Sequence, residues 1–211
     1  MTTLTIPAST LARIATVCLP HTGKDELLPV FCCVRLFERD GHLHGEATDR
    51  YTIGACRTET VAPKGLDVMI HRDDLRATLA VFKAQRRSTV LLRLEVSEET
   101  LTFSLADGLL ANGVDLTLAA KRREGAFPAV SWLYVKSASA APVASAPYLD
   151  TKFLRRLPDG PAQVRVTEEG VKPVAFYGDD WAAALMALRP GADLSASWVA
   201  AGESTATGTE A

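Results

Sequence analysis

The chain has no long apolar run, no basic leader and no excess of either charge, and each absence removes a class of function. No stretch approaches the ~20 consecutive apolar residues of a membrane-spanning helix, and Met1 to Pro7 lacks the basic start and apolar centre of a signal peptide. A soluble protein of the cytoplasm, with no membrane partner, is the expectation. Against 23 Lys and Arg stand 25 Asp and Glu, a net charge of −2, which excludes a protein coated in cations for nucleic acid. A local basic stripe stays compatible with that balance.

Cysteine is scarce, and the four present (Cys18, Cys32, Cys33, Cys56) form no C-x-x-C pair. Neighbours on a strand point to opposite faces, so Cys32 and Cys33 cannot act together there. Reduced, mostly buried cysteines are expected. Signature stretches are missing too: there is no P-loop, no G-x-G-x-x-G, no G-x-S-x-G and no H-E-x-x-H. No catalytic residue, cofactor or metal is therefore assigned. His42 and His44 share one strand face at a ligand-compatible spacing, but a metal-dependent enzyme built on them lacks a third ligand. Asp73 with Asp74, and Asp179 with Asp180, read as a helix first turn and a hairpin turn rather than acid/base pairs.

What is present is a repeated change of hydrophobic period. Ala8 to Leu19 is helix-like, with Leu11, Ile14 and Cys18 on one side behind Pro7. Strands follow at Val30 to Arg39, His42 to Thr48 and Tyr51 to Thr60, the first two joined by Asp40-Gly41, a tight-turn signal. The order then restarts: a short strand Leu66 to Ile70, a helix Arg72 to Arg86, and strands Thr89 to Val96, Thr100 to Ala106 and Asn112 to Ala119. After an Ala/Ser/Pro-rich break from Lys121 to Ala146, a third copy starts with a helix near Tyr148 to Leu157. Its strands are Ala162 to Thr167, Lys172 to Tyr177 and Trp181 to Leu188. One helix plus three or four antiparallel strands per unit predicts an α+β fold with internal repeats. The organisation expected is a two-repeat domain over 1–120, a linker over 121–146, a half domain over 147–190 and a disordered tail over 191–211.

Basic residues mark one helix face. Arg72, Arg76, Lys83 and Arg87 fall within an arc of about 60° at 100° per residue, and the third helix adds Lys152, Arg155 and Arg156. Such a stripe can meet double-stranded DNA non-specifically through its phosphates.

Four segments resemble the beta subunit of DNA polymerase III, the bacterial sliding clamp. Leu28-Pro29-Val30 with Ala47-Thr48-Asp49-Arg50-Tyr51-Thr52-Ile53 is similar to the start of that family's middle domain, and Val68-Met69-Ile70 with the next helix to its second half. Glu124-Gly125-Ala126-Phe127-Pro128 looks like the stretch leading into the last domain. Tyr148-Leu149, Val164-Arg165-Val166, Val171-Lys172-Pro173-Val174 and Leu185-Met186-Ala187-Leu188-Arg189 look like the second half of that last domain. The resemblance implies clamp-like βαβββ repeats in antiparallel sheets with helices on one face, shortened by the first domain and half of the last. It implies a processivity or docking factor of DNA replication or repair, without catalysis of its own.

The family's hydrophobic pocket for short partner peptides, carried over by matched position, uses Thr48, Tyr51 and Ile53 as one wall and Pro128 and Leu133 at the junction. Its other wall is Tyr148, Val171, Pro173, Leu185, Met186, Leu188 and Arg189. The partners implied are a DNA polymerase or other replication and repair proteins. The lost ring-closing surfaces point to a monomer, or a homodimer joined through the half domains, with a closed ring of several short chains as the alternative.

Overall fold

Asp40 and Gly41 both take positive φ, 53° and 79°, the geometry of a two-residue hairpin turn whose twist matches that of the flanking strands. The computed structural model describes residues 2–82, 90–106, 116–139, 149–166 and 173–187. In it that turn joins β2 (Cys33–Arg39) to β3 (His42–Thr48), and β4 (Thr52–Val61) follows. Before them come β1 (Thr2–Pro7) and α1 (Ala8–Cys18). The second unit repeats the order with β5 (Asp67–His71), α2 (Arg72–Val81), β6 (Leu91–Val96), β7 (Thr100–Leu105) and β8 (Thr117–Lys121). Then come α3 (Ser131–Ser139), α4 (Thr151–Leu154), β9 (Gln163–Arg165), β10 (Val174–Tyr177) and β11 (Trp181–Leu185).

The two full units exchange their leading strands. β1 pairs antiparallel with β6, giving a sheet ordered β1-β6-β7-β8, while β5 pairs with β2 in a sheet ordered β5-β2-β3-β4-β11-β10-β9. Leu4 and Ile6 of β1 and Leu92, Leu94 and Val96 of β6 therefore enter the same core as Val34 and Leu36 of β2 and Leu11 and Ile14 of α1. The resulting α+β arrangement of antiparallel sheets is the expected class.

Several element readings change. The start of the chain is a strand, its Leu4 and Ile6 buried at period two. Pro29–Cys32 forms a 3-10 turn, since Pro29 fixes φ there and delays β2 to Cys33. The helix expected to reach Arg86 is assigned only to Val81, Phe82 having left helical geometry. The segment 121–146 is not bare of structure, because α3 lies within it. The third unit does not leave an orphan edge toward the rest of the chain: β11 pairs with β4, Trp181 opposite Cys56 through Leu185 opposite Thr52. An unsatisfied strand edge is a liability that this pairing removes for β11. Asp180, in the β10–β11 turn, adds a bidentate ion pair to Arg13 of α1. The tail 191–211 lies outside the described residues.

Glycines set the depth at which α1 packs. Gly45 and Gly54, on β3 and β4, lie beneath the helix, where a Cβ would come within 2.4 Å of Ile14 Cγ2 and of His21 Cδ2 respectively. All four cysteines are free and buried, as expected. Among the described residues, no helix is long and apolar enough to cross a membrane.

Candidate functional site: a groove at the seam between β4 and β11

The β3–β4 turn is held by its own side chains. Asp49 Oδ1 accepts from the backbone N–H of Tyr51 (3.0 Å) and Thr52 (2.8 Å), and the Thr48 hydroxyl donates to Thr52 O (2.8 Å). Arg50 is carried at φ 79°, an unusual angle for a side-chain-bearing residue. Burial alone would raise the Asp49 carboxyl. The Arg156 guanidinium, 2.5 Å from Oδ2, together with the Thr52 donors outweighs it and holds the group below its ordinary value. α4 is thereby tied to the turn.

Across the seam, Met186 N donates to Tyr51 O at 2.9 Å, so the chain leaving β11 stays beside the turn. α3 caps this junction. Tyr134 packs with Ile53, Ala55 and Ala184, and its hydroxyl donates to Glu46 Oε1 at 2.9 Å. Glu46 is fully buried; desolvation raises its carboxyl, opposed by Tyr134 and by Arg35 at 3.5 Å. Removing the hydroxyl strands a buried carboxylate oxygen, which costs about 1–3 kcal/mol. Tyr134→Phe is expected to lower stability by that amount in urea unfolding, and an unchanged midpoint would show that α3 does not depend on this anchor.

These elements enclose a groove of about 230 Å³, lined by Thr48, Arg50, Tyr51 and Ile53 on one side and by Pro173, Ala184 and Met186 on the other. Pro128, Val130 and Leu133 line the junction, and Phe31 one end. Seven of the residues expected for the pocket thus come together: Thr48, Tyr51, Ile53, Pro128, Leu133, Pro173 and Met186. Leu185 does not join them. It is fully buried in the main core, because strand alternation turns it away from the face that Ala184 and Met186 share. Tyr148, Val171, Leu188 and Arg189 lie outside the described residues.

Phe31, Arg50, Val130 and Ala184 are lining residues that the sequence reading did not name. Two had a signal: Ala184 is two residues before Met186 on one strand face, and Arg50 sits between two residues already chosen.

The groove opens onto a second, wider cleft of about 570 Å³ that shares Phe31, Arg50 and Tyr51. Its wall carries Lys24, Arg72, Arg76 and Arg156 beside Asp25 and Asp49. Arg50 links the two, its guanidinium 5.8 Å from the Phe31 ring centre and 5.9 Å from that of Tyr51.

The cations expected to meet DNA fare unevenly. Arg72 is largely buried and donates to Gly23 O at 2.9 Å, while Arg156 is committed to Asp49. Arg76 pairs with Asp73 at 2.8 Å and Lys152 with Asp150 at 2.6 Å. Arg155 is exposed. Lys83 and Arg87 lie outside the described residues, so the arc is traced only through its first two members. His44 packs on the Phe37 ring, centres 5.4 Å apart, and no third ligand joins it and His42 among the described residues.

Comparison with known proteins is consistent in structure and silent in sequence. No family model and no curated protein matches the chain. Among solved structures, it superimposes on a DNA polymerase sliding clamp from Pseudomonas aeruginosa with a TM-score of 0.70 at 11% identity, covering 89% of this chain and 66% of that one. It superimposes equally on the DNA polymerase III beta chain of Streptococcus pneumoniae, with a TM-score of 0.70 at 14% identity, covering 90% and 65%. A clamp from Bartonella birtlesii, solved bound to griselimycin, gives 0.69 at 12% identity, covering 89% and 66%. The chain spans about two thirds of the length of these clamps. With about nine tenths of the chain superimposed at a TM-score of 0.70, it has the fold of the DNA polymerase III beta subunit, the bacterial sliding clamp.

Proposed function

We propose that the protein is a clamp-like accessory factor of DNA replication or repair that acts by docking short partner peptides in the groove between β4 and β11. The observation that carries this reading is the convergence of separate chain segments (residues 48–53, 128–133 and 173–186) on one apolar, open groove in a clamp fold. A core has no need of such an opening, and a peptide-sized apolar groove with few polar groups is the usual form of a recognition site. Tyr51 and Met186 stand at its rim with their side chains accessible, and Met adapts its shape to different apolar anchors.

The neighbouring cleft extends the reading. A peptide whose apolar anchors fill the groove would lay its next residues against Arg50, Lys24 and Arg76. Acidic side chains suit that position by charge complementarity.

The test is fluorescence anisotropy with a labelled peptide carrying a clamp-binding motif, followed by the same peptide with its flanking acids changed to amides. Burying one large apolar anchor contributes ~1.5–3 kcal/mol, or about tenfold to a hundredfold in affinity. Met186, 37% exposed, is the right probe, whereas Ile53 is 5% exposed and a charge there would disturb the fold itself. Met186→Asp is expected to weaken binding at least tenfold with the thermal midpoint unchanged. Equal binding by the wild type and this variant would overturn the groove assignment.

A further inference from the structure

Three donors of metal-ligand type converge at residues that do not line the groove, one of them, Cys32, next in the chain to Phe31. Glu26 lies in the loop before the 3-10 turn, Cys32 closes that turn, and His71 ends β5 as the N-cap of α2. A Glu26 carboxylate oxygen, Cys32 Sγ and a ring nitrogen of His71 all lie within 4.8 Å of one another. His71 Nε2 is 3.3 Å from Glu26 Oε1, yet it has no partner at hydrogen-bonding geometry, on a side chain only 8% exposed. A buried ring nitrogen without a hydrogen bond is a standing cost to the fold unless something else engages it.

We propose that Glu26, Cys32 and His71 form a binding site for a divalent cation of the zinc class. One thiolate, one imidazole and one carboxylate make a borderline-soft donor set that selects zinc over magnesium or calcium. Water completes four-coordination. Metal–donor bonds of ~2.0–2.3 Å place tetrahedral donors roughly 3.5 Å apart, so the cluster must tighten by about an ångström. The Glu26 side chain is 64% exposed on its loop and is the donor free to swing in.

Binding is a proton-balanced step. The Cys32 thiol releases its proton to solvent as the sulfur–metal bond forms. His71 Nδ1 accepts from the Asp73 backbone N–H at 3.3 Å in the ion-free arrangement, so the ring proton sits on Nε2. When the metal takes Nε2, a proton is carried on Nδ1 instead, the bond accepted from the Asp73 N–H is given up, and the new N–H turns to Asp73 Oδ2, 3.8 Å away, which can orient the ring. Burial first, and then the charge of Glu26, push the Cys32 thiol up; Asp25 and Asp73 act the same way, and Arg72 opposes them. Of these, the three carboxylates favour a cation beside the sulfur, whereas burial favours no charge there. The bound ion would staple the loop through 23–32 to the start of α2 and so fix Phe31, the residue at the end of the groove.

Titration of the full chain with cobalt(II) in place of zinc tests the site. One equivalent is expected to bind and to show thiolate-to-cobalt charge transfer in the near ultraviolet, and free zinc is expected to raise the thermal midpoint. Cys32→Ser should abolish the charge-transfer band. Glu26→Gln, at an exposed position that leaves the fold intact, and His71→Asn, which keeps an N-cap acceptor, should each weaken zinc at least tenfold. Absence of stoichiometric cobalt binding by the wild type overturns the proposal, as does a band that survives in Cys32→Ser or zinc affinity unchanged in Glu26→Gln. Anisotropy with Met186→Asp is independent of these results, so a failed metal site and a failed groove are distinguishable.

Discussion

Gly54→Ala is expected to lose about 3 kcal/mol or more of stability. The added Cβ would lie 2.4 Å from His21 Cδ2 and 2.7 Å from Val17 O, and the second of these is backbone that cannot rotate aside. Relief requires α1 to lift from β4, and Leu11, Ile14 and Cys18 on its buried face would separate from the core with it. Overpacking of a well-filled core costs typically 1–3 kcal/mol, and more where backbone must move. Alanine's better strand propensity returns less than one of these. Gly65→Ala is the control, because its φ of 79° strains a side chain while nothing lies within 4 Å of an added Cβ, so it isolates backbone strain from the steric clash at Gly54. That variant should lose about 1 kcal/mol. Urea unfolding of the pair checks the argument, and equal losses would mean that the helix is not held at this depth by Gly54.

The contrast explains which parts of the fold are legible in the sequence. Local chemistry was readable. Asp40-Gly41 marks its turn, Leu101, Phe103 and Leu105 mark β7, and the stripe of Leu11, Ile14 and Cys18 marks α1. Pairing between distant strands is not written locally. Nothing in Thr2–Pro7 says that β1 will lie beside β6 some ninety residues later, because many apolar faces of matching period compete for that edge. α3 is hidden for a different reason: Tyr134 is buried while Trp132 and Val135 are exposed, so the helix lacks the apolar stripe that a period search detects.

The groove was legible in the same divided way. Motif resemblance brought out its walls, but only the pairing of β11 with β4 places them face to face. That pairing also sorts Ala184 and Met186 into the groove and Leu185 into the core. The basic arc shows the limit of projecting a helix from sequence: its geometry was sound for an ideal helix, yet Arg72 and Asp73 spend their charges on Gly23, Arg76 and each other.

Acid should destabilise the wild-type protein through His21, in a window that sequence alone could not have set. The ring is fully buried beneath the β3–β4 pair, and neither nitrogen has a partner at hydrogen-bonding geometry. Burial lowers its pKa to about 4, with the Arg156 charge adding to the effect; Asp49 and a weak backbone contact to Arg156 oppose it. In the unfolded chain the same group titrates near 6.5. Between those values the unfolded state binds the proton and the folded state does not, so stability falls as pH drops from about 6.5 toward 4. The full effect of such a shift is about 3 kcal/mol, a large share of an ordinary domain's stability.

Other groups act elsewhere or in the opposite sense. Asp49 and Asp180 are held below their ordinary values by Arg156 and Arg13, so their loss belongs to the lower end of the range. Glu46, raised by burial, is relieved by acid and would mask part of the slope. The readout is therefore a difference: urea unfolding from pH 7.5 to 4.5, with chelator present, for the wild type and for His21→Met, which fills the space without a titrating group. The wild type is expected to lose about 2.5 kcal/mol more than the variant over that interval. Parallel curves for the two proteins would show that His21 is solvated in the folded chain and that the seat of α1 on β4 is looser than the fit of Gly54 implies.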